Sequence, residues 1–243
     1  MAARVTTTDR VFASLRESIL GGEFPAGSLH SIYRLADLLG VSRTPVREAV
    51  LRLADSGLVT IERNRGVRIR GVSVGDIKAV FELRLMIEVP SAAYAAEHAG
   101  EAELDTLRAE LDSMRAAAEG LDEVRFTAHD RALHHAIGAI LGNAKALQEV
   151  AALRDSIQTR GASTLHRSRG MAEILGEHVP IVEAVVARDP GAAAAHMEEH
   201  LVSTAALLMD QAASSEDPAP GPDWADHLRR HLYAPGRTAA RRE

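Results

Sequence analysis

Residues 40–53, GVSRTPVREAVLRL, read as a turn followed by an amphipathic helix with a polar and basic start. Gly40 tolerates the left-handed conformation that ends a helix, and Ser42 can cap the helix that follows. Pro45 falls in the first turn, where its missing N–H costs nothing. The apolar residues recur at helical spacing and predict a buried stripe, which comprises Val46, Ala49, Val50 and Leu53. The segment is typical of the second helix of a helix-turn-helix.

The flanking sequence extends this segment into a winged helix-turn-helix over residues 1–72. An amphipathic helix over 9–22 and a short helix over 32–39 precede it. After it, LVTIER and GVRIRG alternate in the manner of strands on either side of the turn at 63–66. Three helices followed by a two-stranded hairpin with an arginine-rich tip are the elements of a winged domain.

From residue 76 onward the pattern is helical, which predicts an antiparallel bundle of about six helices over residues 76–212. Gly or Pro falls near most boundaries of the predicted helices, which are 76–98, 101–119, 122–141, 144–168, 171–188 and 191–212. Residues 213–243 begin with ASSEDPAPGP and predict a Pro-rich, disordered tail, in which Trp224 to Tyr233 could form a short helix. The predicted fold class is mainly α, with a winged helix-turn-helix followed by an all-α bundle.

The charge is unevenly distributed along the 243 residues. Residues 1–70 contain 11 Arg, no Lys and 7 acidic residues, whereas residues 71–212 contain 12 basic and 22 acidic residues. A basic first domain beside an acidic body predicts that only the first domain contacts nucleic acid. The absence of Cys excludes disulfides and thiolate metal sites. No signal peptide or long apolar segment is evident, so we expect a cytoplasmic protein without a membrane partner.

The two groups of arginines predict contacts with double-stranded DNA. Arg43, Thr44 and Arg47 lie at a helix start that suits base edges and phosphates. Further candidates follow from the arginine-rich tip and from the second helix: Arg63, Arg65 and Gly66 at the wing, and Tyr33 and Arg34 for phosphate. Gly66 would let the backbone approach DNA closely. The alternative is a small basic domain whose arginines are simply solvated.

The stretch from LRESILGGEFPAGS through GVSRTPVREAVLRLADSGLV to NRGVRIR resembles the N-terminal domain of the GntR family of bacterial transcription regulators. The resemblance covers about the first 70 residues. It implies a homodimer that reads a short palindromic operator. It also implies that the DNA contacts include Ser42, Arg43, Thr44, Arg47 and Gly66.

The acidic body contains a set of histidines and one aspartate with metal-ligand chemistry. Asp130 and His134 are spaced i,i+4, so they share one helix face. His178 and His200 fall on two later predicted helices. Three neutral imidazoles and a carboxylate suit a divalent transition metal such as Zn²⁺, Ni²⁺ or Mn²⁺. Spacing alone leaves open the alternative that each histidine is a hydrogen-bonded structural residue.

The helical part also resembles a known domain, the FCD domain of FadR-like GntR regulators. The marks of the resemblance are ELR followed by Glu88, D-x3-H before an Asn, EH-x2-I-x2-A ending in RD, and a terminal HL. The metal-binding form of that domain uses one Asp and three His, which here fall on Asp130, His134, His178 and His200. The metal that we expect is Zn²⁺, with Ni²⁺ or Mn²⁺ as alternatives. Leu133 departs from a frequent Phe, and His196 is an additional histidine that could compete with His200 or line a pocket.

A metal with open positions beside an arginine would bind a carboxylate. Candidate effector-binding residues are Arg84, Arg154, Arg160 and His196. Arg84 could equally form a structural ion pair with Glu88, one helix turn away. We therefore predict a transcription regulator, a repressor rather than an enzyme. A small organic acid would control its operator affinity through the linker at 71–76.

The sequence leaves three alternatives to this prediction. His196-Met-Glu-Glu-His200 fits H-x-x-E-H, a metalloprotease pattern in which Glu199 would be the base. Such a site needs a downstream carboxylate ligand on ordered structure, and most of the remaining acidic residues fall in the Pro-rich tail. The second alternative is a ligand-sensing regulator without a metal. The third is a purely structural DNA-binding protein whose helical domain binds neither a metal nor a ligand.

Overall fold

The computed structural model describes residues 6–20, 23–24, 27–158, 160–165, 167–213 and 217–231. It divides into two compact units. One comprises Met1–Ser73 with Asp155–Ala162, and the other comprises Val74–Arg154 with Ser163–Glu243. None of the helices in the described ranges combines the length and the apolar character needed to cross a membrane.

The first unit contains three helices and a small antiparallel sheet. Its elements are α1 (Thr7–Leu20), β1 (Leu29–His30), α2 (Ile32–Leu38), α3 (Arg43–Asp55), β2 (Val59–Glu62) and β3 (Gly66–Ile69). The strand order is β1-β3-β2, with Leu29 opposite Arg68 and Val59 opposite Ile69. The sequence did not predict β1, because two residues are too few to show an alternating pattern.

The backbone of the turn between α2 and α3 has the conformation that the sequence predicted. Gly40 has a φ of +62°, the left-handed region that glycine favours. The predicted stripe of α3 is buried in the core of the unit, with Val46 and Ala49 fully inaccessible. The prediction that the Ser42 side chain caps α3 is wrong, since its hydroxyl accepts no cap hydrogen bond although its backbone is extended. Ser31 does cap α2, accepting from the Arg34 N–H at 3.1 Å.

Gly66 has a structural role at the start of β3. Its φ is +131°, and a Cβ at this position would lie 2.4 Å from the backbone oxygen of His30. Glycine is therefore required here by the pairing of β1 with β3 within the folded unit itself.

The second unit is helical, which confirms the prediction of a mainly α fold. It contains α4 (Val74–His98), α5 (Glu101–Glu119), α6 (Glu123–Ala139), most of α7 (Ala144–Gln158), α8 (Met171–Val186) and α9 (Pro190–Ala212). The end of α7, from Asp155, is grouped with the first unit. Helix α4 packs against α6, α8 and α9, and α5 packs against α6 and α8. Helix α7 ends ten residues earlier than predicted, just before Gly161, whose φ is +88°.

Part of the predicted disordered tail is folded. Residues 217–231, the tail segment, contain helix α10 (Asp226–His231) within the span where a short helix was expected. Trp224, Ala225 and Leu228 are buried, which a disordered chain cannot achieve. Residues 214–216 and 232–243 of the predicted tail lie outside the described residues.

Candidate metal centre and nucleic-acid interface

Helix α4 carries two charged residues on its buried face. Its buried positions recur every three or four residues, and Arg84 and Glu88 occupy two of them beside Leu85 and Val89. The Arg84 Nε donates to Glu88 Oε1 at 2.6 Å, and both side chains are more than nine-tenths buried. Burying two charges carries a large desolvation cost, which indicates that this pair is part of a larger polar cluster.

Three helices deliver three histidines to this cluster. His134 on α6, His178 on α8 and His200 on α9 place one ring nitrogen each within 4.8 Å of one another. The His134 and His178 Nε2 atoms are 3.2 Å apart. The Asp130 Oδ1 lies 3.0 Å from the His178 Nε2. The structure therefore brings together all four residues predicted to bind a metal.

Each imidazole faces a hydrogen-bond acceptor with its Nδ1. The His134 Nδ1 lies 2.5 Å from Glu88 Oε2, and the His178 Nδ1 lies 2.8 Å from the Ile174 carbonyl oxygen. The His200 Nδ1 lies 2.8 Å from a Glu177 carboxylate oxygen. Because carbonyl and ionised carboxylate oxygens only accept, we assign the proton of each neutral ring to Nδ1. Each Nε2 is then a bare lone pair.

This set of lone pairs fits a metal ion. Two bare Nε2 atoms 3.2 Å apart, with a carboxylate oxygen at 3.0 Å, would repel one another without a cation or a proton between them. The same 3.2 Å separation allows both nitrogens to lie about 2.1 Å from one ion. Histidine ligands whose other ring N–H bonds a carboxylate or a carbonyl are the usual arrangement around protein-bound metals.

The protonation states of the cluster also suit ligation. Burial and the neighbouring Arg154 lower the pKa of His134 to about 4. Burial and the two other imidazoles hold the pKa of His200 well below its usual value. Burial alone would raise the pKa of Asp130, but Arg154, His178 and His134 together outweigh it and hold that pKa well below the usual range. His134 and His200 are therefore neutral and Asp130 is ionised at pH 7.

Additional residues hold His200 in place, and the sequence did not predict this role for them. Arg169 pairs with Glu177, the carboxylate behind His200, and donates to Thr204 Oγ1 at 2.6 Å. The Thr204 hydroxyl in turn donates to the His200 carbonyl oxygen at 2.8 Å. The position of Glu177 directly before His178 was an available signal. No sequence signal indicated the contact between Arg169 and Thr204, because these residues are far from each other in sequence.

Two of the four candidate effector-binding residues belong to the cluster. Among the described residues, Arg84 Nη2 and Arg154 Nε are buried without a hydrogen-bond partner. Arg154 also donates through Nη2 to Asp130 Oδ2 at 2.7 Å. Arg160 instead donates to the Ser156 carbonyl oxygen at 2.8 Å, after the end of α7.

His196 does not join the histidine cluster. Its side chain is 38% exposed and lies 3.9 Å from Glu199, which is itself 83% exposed. The group of ligand atoms contains His200 but not His196. The pair of histidines that H-x-x-E-H requires is therefore not assembled, and the prediction that His196 lines the effector site is not supported by its position.

The predicted DNA-contacting residues lie on the surface of the first unit. All but the half-buried Gly66 are exposed: Tyr33, Arg34, Ser42, Arg43, Thr44, Arg47, Arg63 and Arg65. Within the described part of the chain, neither Arg43 nor Arg47 forms an ion pair. Arg52, on the same helix, is engaged by Asp9 at 2.9 Å and lies over the Phe12 ring. Helix α3 thus presents two uncompensated guanidinium groups close to its N-terminus.

Comparison with known proteins identifies the class to which this fold and site belong. The family of bacterial regulatory proteins named gntR matches residues 7–69, and the FCD domain matches residues 79–203. The chain is therefore a GntR-family transcription regulator with an FCD domain, as the sequence predicted, and is not an enzyme.

Individual relatives agree with this assignment. A protein of Paenarthrobacter nicotinovorans described as "Probable D-xylose utilization operon transcriptional repressor" is 28% identical, over 82% of this chain and 88% of its own. The gluconate operon transcriptional repressor of Bacillus licheniformis is 30% identical, over 56% of this chain and 55% of its own. The structure of E. coli McbR/YncC superposes with a TM-score of 0.55 at 22% identity, covering 86% of this chain and 99% of that one, which shows a shared fold.

Proposed function

We propose that this regulator is a repressor whose affinity for operator DNA falls when a small carboxylate binds beside the histidine cluster. One observation carries the proposal. The cluster combines bare imidazole lone pairs, which suit a cation, with two unpartnered guanidinium nitrogens, which suit an anion. A site with bare imidazole lone pairs and unpartnered guanidinium N–H groups is suited to a metal together with an acidic ligand.

The charges of the cluster support the same conclusion. Arg84 and Arg154 balance Glu88 and Asp130, and the neutral His134 and His200 add no charge. A divalent ion held by Asp130, His134, His178 and His200 would leave an excess of about two positive charges in a buried place. When bound, the metal would supply positive charge and open coordination positions for an acid. Three imidazoles and a carboxylate favour Zn²⁺, with Ni²⁺ or Mn²⁺ as alternatives.

The first unit would supply the operator contacts. Arg43, Thr44 and Arg47 would read base edges and phosphates from the start of α3, and Arg63 and Arg65 would contact the adjacent groove or backbone. Ser42, Tyr33 and Arg34 would add contacts to phosphate. We propose a cytoplasmic homodimer that reads a palindrome, since two copies of a winged domain bind two half-sites. Two relatives are described as operon repressors, which supports negative control here.

The effector and the operator must be thermodynamically linked. An acid can weaken DNA binding only by the factor by which DNA weakens binding of the acid. The predicted linker at 71–76 is shorter in the structure, because α4 already begins at Val74. Residues 71–73 would carry the change, because they join the winged domain to α4, which bears Arg84 and Glu88.

A second candidate is a sensor that needs no metal. The unpartnered Arg84 Nη2 and Arg154 Nε favour it, because guanidinium groups bind carboxylates directly. In that case effector binding would survive chelation.

The test uses the full chain without a His-tag and a duplex selected from random DNA. Fluorescence anisotropy would measure operator affinity with Zn²⁺ or with EDTA, in the presence and absence of a panel of carboxylates. We expect at least one acid to weaken operator binding tenfold or more with Zn²⁺ and much less with EDTA. Equal effects under both conditions would establish the metal-free sensor. No effect of any acid would contradict effector control.

Two variants test the DNA contacts in the same assay. We expect Arg43→Ala to reduce discrimination between operator and random DNA, because a base contact contributes about 1–3 kcal/mol of specificity. Arg65→Ala should weaken both complexes alike and reduce the salt dependence, because it removes a phosphate contact. Arg188→Ala, in the helical unit, is the matched control and should change neither. Unaltered binding of both DNAs by Arg43→Ala would show that α3 does not read the operator.

A further inference from the structure

A cavity of about 240 Å³ lies beside the cluster within the second unit. It is bounded by α4, α6 and α7, and shares Glu88, His134 and Arg154 with the cluster. The rest of its wall is mostly apolar and is formed by Ile87, Ala132, Gly138, Ala146, Leu147, Val150 and Ala151. An effector that reached the cluster from this side would therefore place its body against hydrocarbon.

The inner polar groups of the cavity are largely satisfied by the protein. Glu88 receives Arg84 on one oxygen at 2.6 Å and faces His134 with the other at 2.5 Å. The Ser91 hydroxyl donates to the Ile87 carbonyl oxygen at 2.6 Å. Arg154 Nε is the lining atom that is buried without a partner in the described structure. The inner end of the cavity thus carries the positive charge of Arg154, which suits an anion, and little to satisfy several hydroxyl groups.

Helix α7 forms an incomplete apolar wall. Leu147 and Val150 are only half-buried, and Ala151 is exposed. An apolar ligand would remove the apolar surfaces of these residues from water, which is favourable. A hydroxylated ligand would bring less apolar surface of its own into the contact and would gain less free energy. The exposed His135 and the half-buried Arg131 also line the cavity. A polar group on the body of the ligand could therefore be accommodated only at the solvent-facing side of the cavity.

We infer that the effector is a monocarboxylate with a compact apolar body, aliphatic or aromatic, rather than a polyhydroxylated sugar acid. This rests on the proposed function, and it names the class of ligand that the same site takes. Since an apolar cavity of about 150 Å³ holds a benzene ring, one of about 240 Å³ takes roughly ten non-hydrogen atoms. The carboxylate would lie against Arg154, and the body would lie between α7 and the α4–α6 pair. Hydroxyls on that body would lose their water without gaining protein partners.

The test of this inference compares the affinities of acids of equal size for the full chain loaded with Zn²⁺. Benzoate, cyclohexanecarboxylate, heptanoate and erythronate contain the same number of non-hydrogen atoms, and only erythronate is polyhydroxylated. Isothermal titration calorimetry would measure their affinities, and release of operator DNA would provide a second readout. We expect at least one apolar acid to bind tenfold or more tightly than erythronate and to release DNA. Erythronate binding as tightly as the apolar acids would overturn the inference and leave effector control standing. If none of the acids bound or released DNA, both the inference and the effector part of the proposed function would fail.

A pair of variants assigns the binding to the cavity. Leu147→Asn keeps the size of a lining side chain and makes it polar, so the affinity of the preferred apolar acid should fall about tenfold. Leu121→Asn makes the same change at a side chain that is 79% exposed and should leave the affinity unchanged. Metal content and thermal unfolding would confirm that both variants are folded and loaded. Equal affinities in Leu147→Asn and the wild type would place the apolar contact elsewhere and overturn the inference.

Discussion

The acceptor on each Nδ1 determines what the three buried imidazoles can bind. Glu88, Glu177 and the Ile174 carbonyl oxygen each take an N–H from one ring, so the opposite nitrogens converge as lone pairs. A structural histidine would normally use both nitrogens in hydrogen bonds to protein or water. In this cluster the second nitrogen of each ring faces other acceptors, and that arrangement favours a cation.

We expect His178→Ala to lose the metal and His196→Ala to keep it. The wild type purified without a His-tag should contain about one transition metal per chain, because three imidazoles converge on one place and the Asp130 carboxylate lies beside them. His178 is central, with its Nε2 near both His134 and Asp130, whereas His196 is half-exposed and outside the group. Plasma emission spectrometry would measure the metal content. Loss of metal in both variants would show that the histidines act through folding rather than ligation.

The lowered histidine pKa values predict that the metal-free protein loses stability in mild acid. The pKa of His134 is about 4 in the folded chain, against an ordinary value of 6.5. Between these two pH values the unfolded chain binds more protons than the folded chain, so the free energy of unfolding rises with pH. The stabilising contribution is complete above about pH 6.5 and is lost progressively towards about pH 4.

The measurement is thermal unfolding of the EDTA-treated chain between pH 7 and pH 4.5. We expect the melting temperature to fall on acidification. The double variant His134→Gln, His200→Gln removes two buried titrating groups and should show a shallower dependence on pH. A wild-type melting temperature that stayed constant or rose on acidification would contradict neutral, buried imidazoles.

At the scale of elements, the winged hairpin depends on one glycine. Gly66→Ala would force a side chain into a φ of +131° and place its Cβ 2.4 Å from the His30 carbonyl oxygen. We expect this change to destabilise the hairpin by about 3 kcal/mol or more, because backbone must move to relieve the clash. Gly57→Ala is the matched control, with a φ of +76° and open space around it, and should cost about 1 kcal/mol.

Hydrogen–deuterium exchange of the full chain would compare the two glycine variants. The amides of β2 and β3 should exchange much faster in Gly66→Ala than in Gly57→Ala, since exchange reports local opening free energies. Equal protection of β3 in the two variants would indicate that the backbone near His30 moves away from the new Cβ at little cost in free energy.

The helices could be predicted from the sequence because their apolar residues recur with a clear period and their ends carry Gly, Pro or Asp. The end of α7 could not, because the RGASTLHRSRG stretch that follows contains enough helix-compatible residues to extend the pattern to 168. The ligand types at Asp130, His134, His178 and His200 were readable in sequence. The pairing of each ligand with its orienting partner was not, because Glu88, Glu177 and Arg154 reach the cluster only through the packing of separate helices.

On the scale of the whole molecule, composition gave the wrong impression of the tail. Residues 213–222 are rich in Pro and Ser, which predicts disorder although apolar residues follow in the sequence. Asp217 accepts from the Val74 N–H at the start of α4 at 3.0 Å, and His227 lies 3.3 Å from Glu82 on the same helix. Arg229 pairs with Glu198 on α9. The tail segment therefore joins two helices of the second unit, and both of them contribute residues to the buried cluster.

We expect Trp224→Ala to destabilise the second unit by about 3 kcal/mol, because it removes a large buried side chain. The Trp224 side chain is buried, with an Nε1 atom that has no hydrogen-bond partner among the described residues. Trp224→Phe retains most of the apolar surface and removes the unsatisfied N–H, so it should cost much less than the alanine change. Asp223→Ala, at the exposed neighbouring residue, should be nearly neutral. Urea unfolding of the three variants would rank them, and a Trp224→Ala variant as stable as Asp223→Ala would show that the tail segment contributes no stability to the bundle.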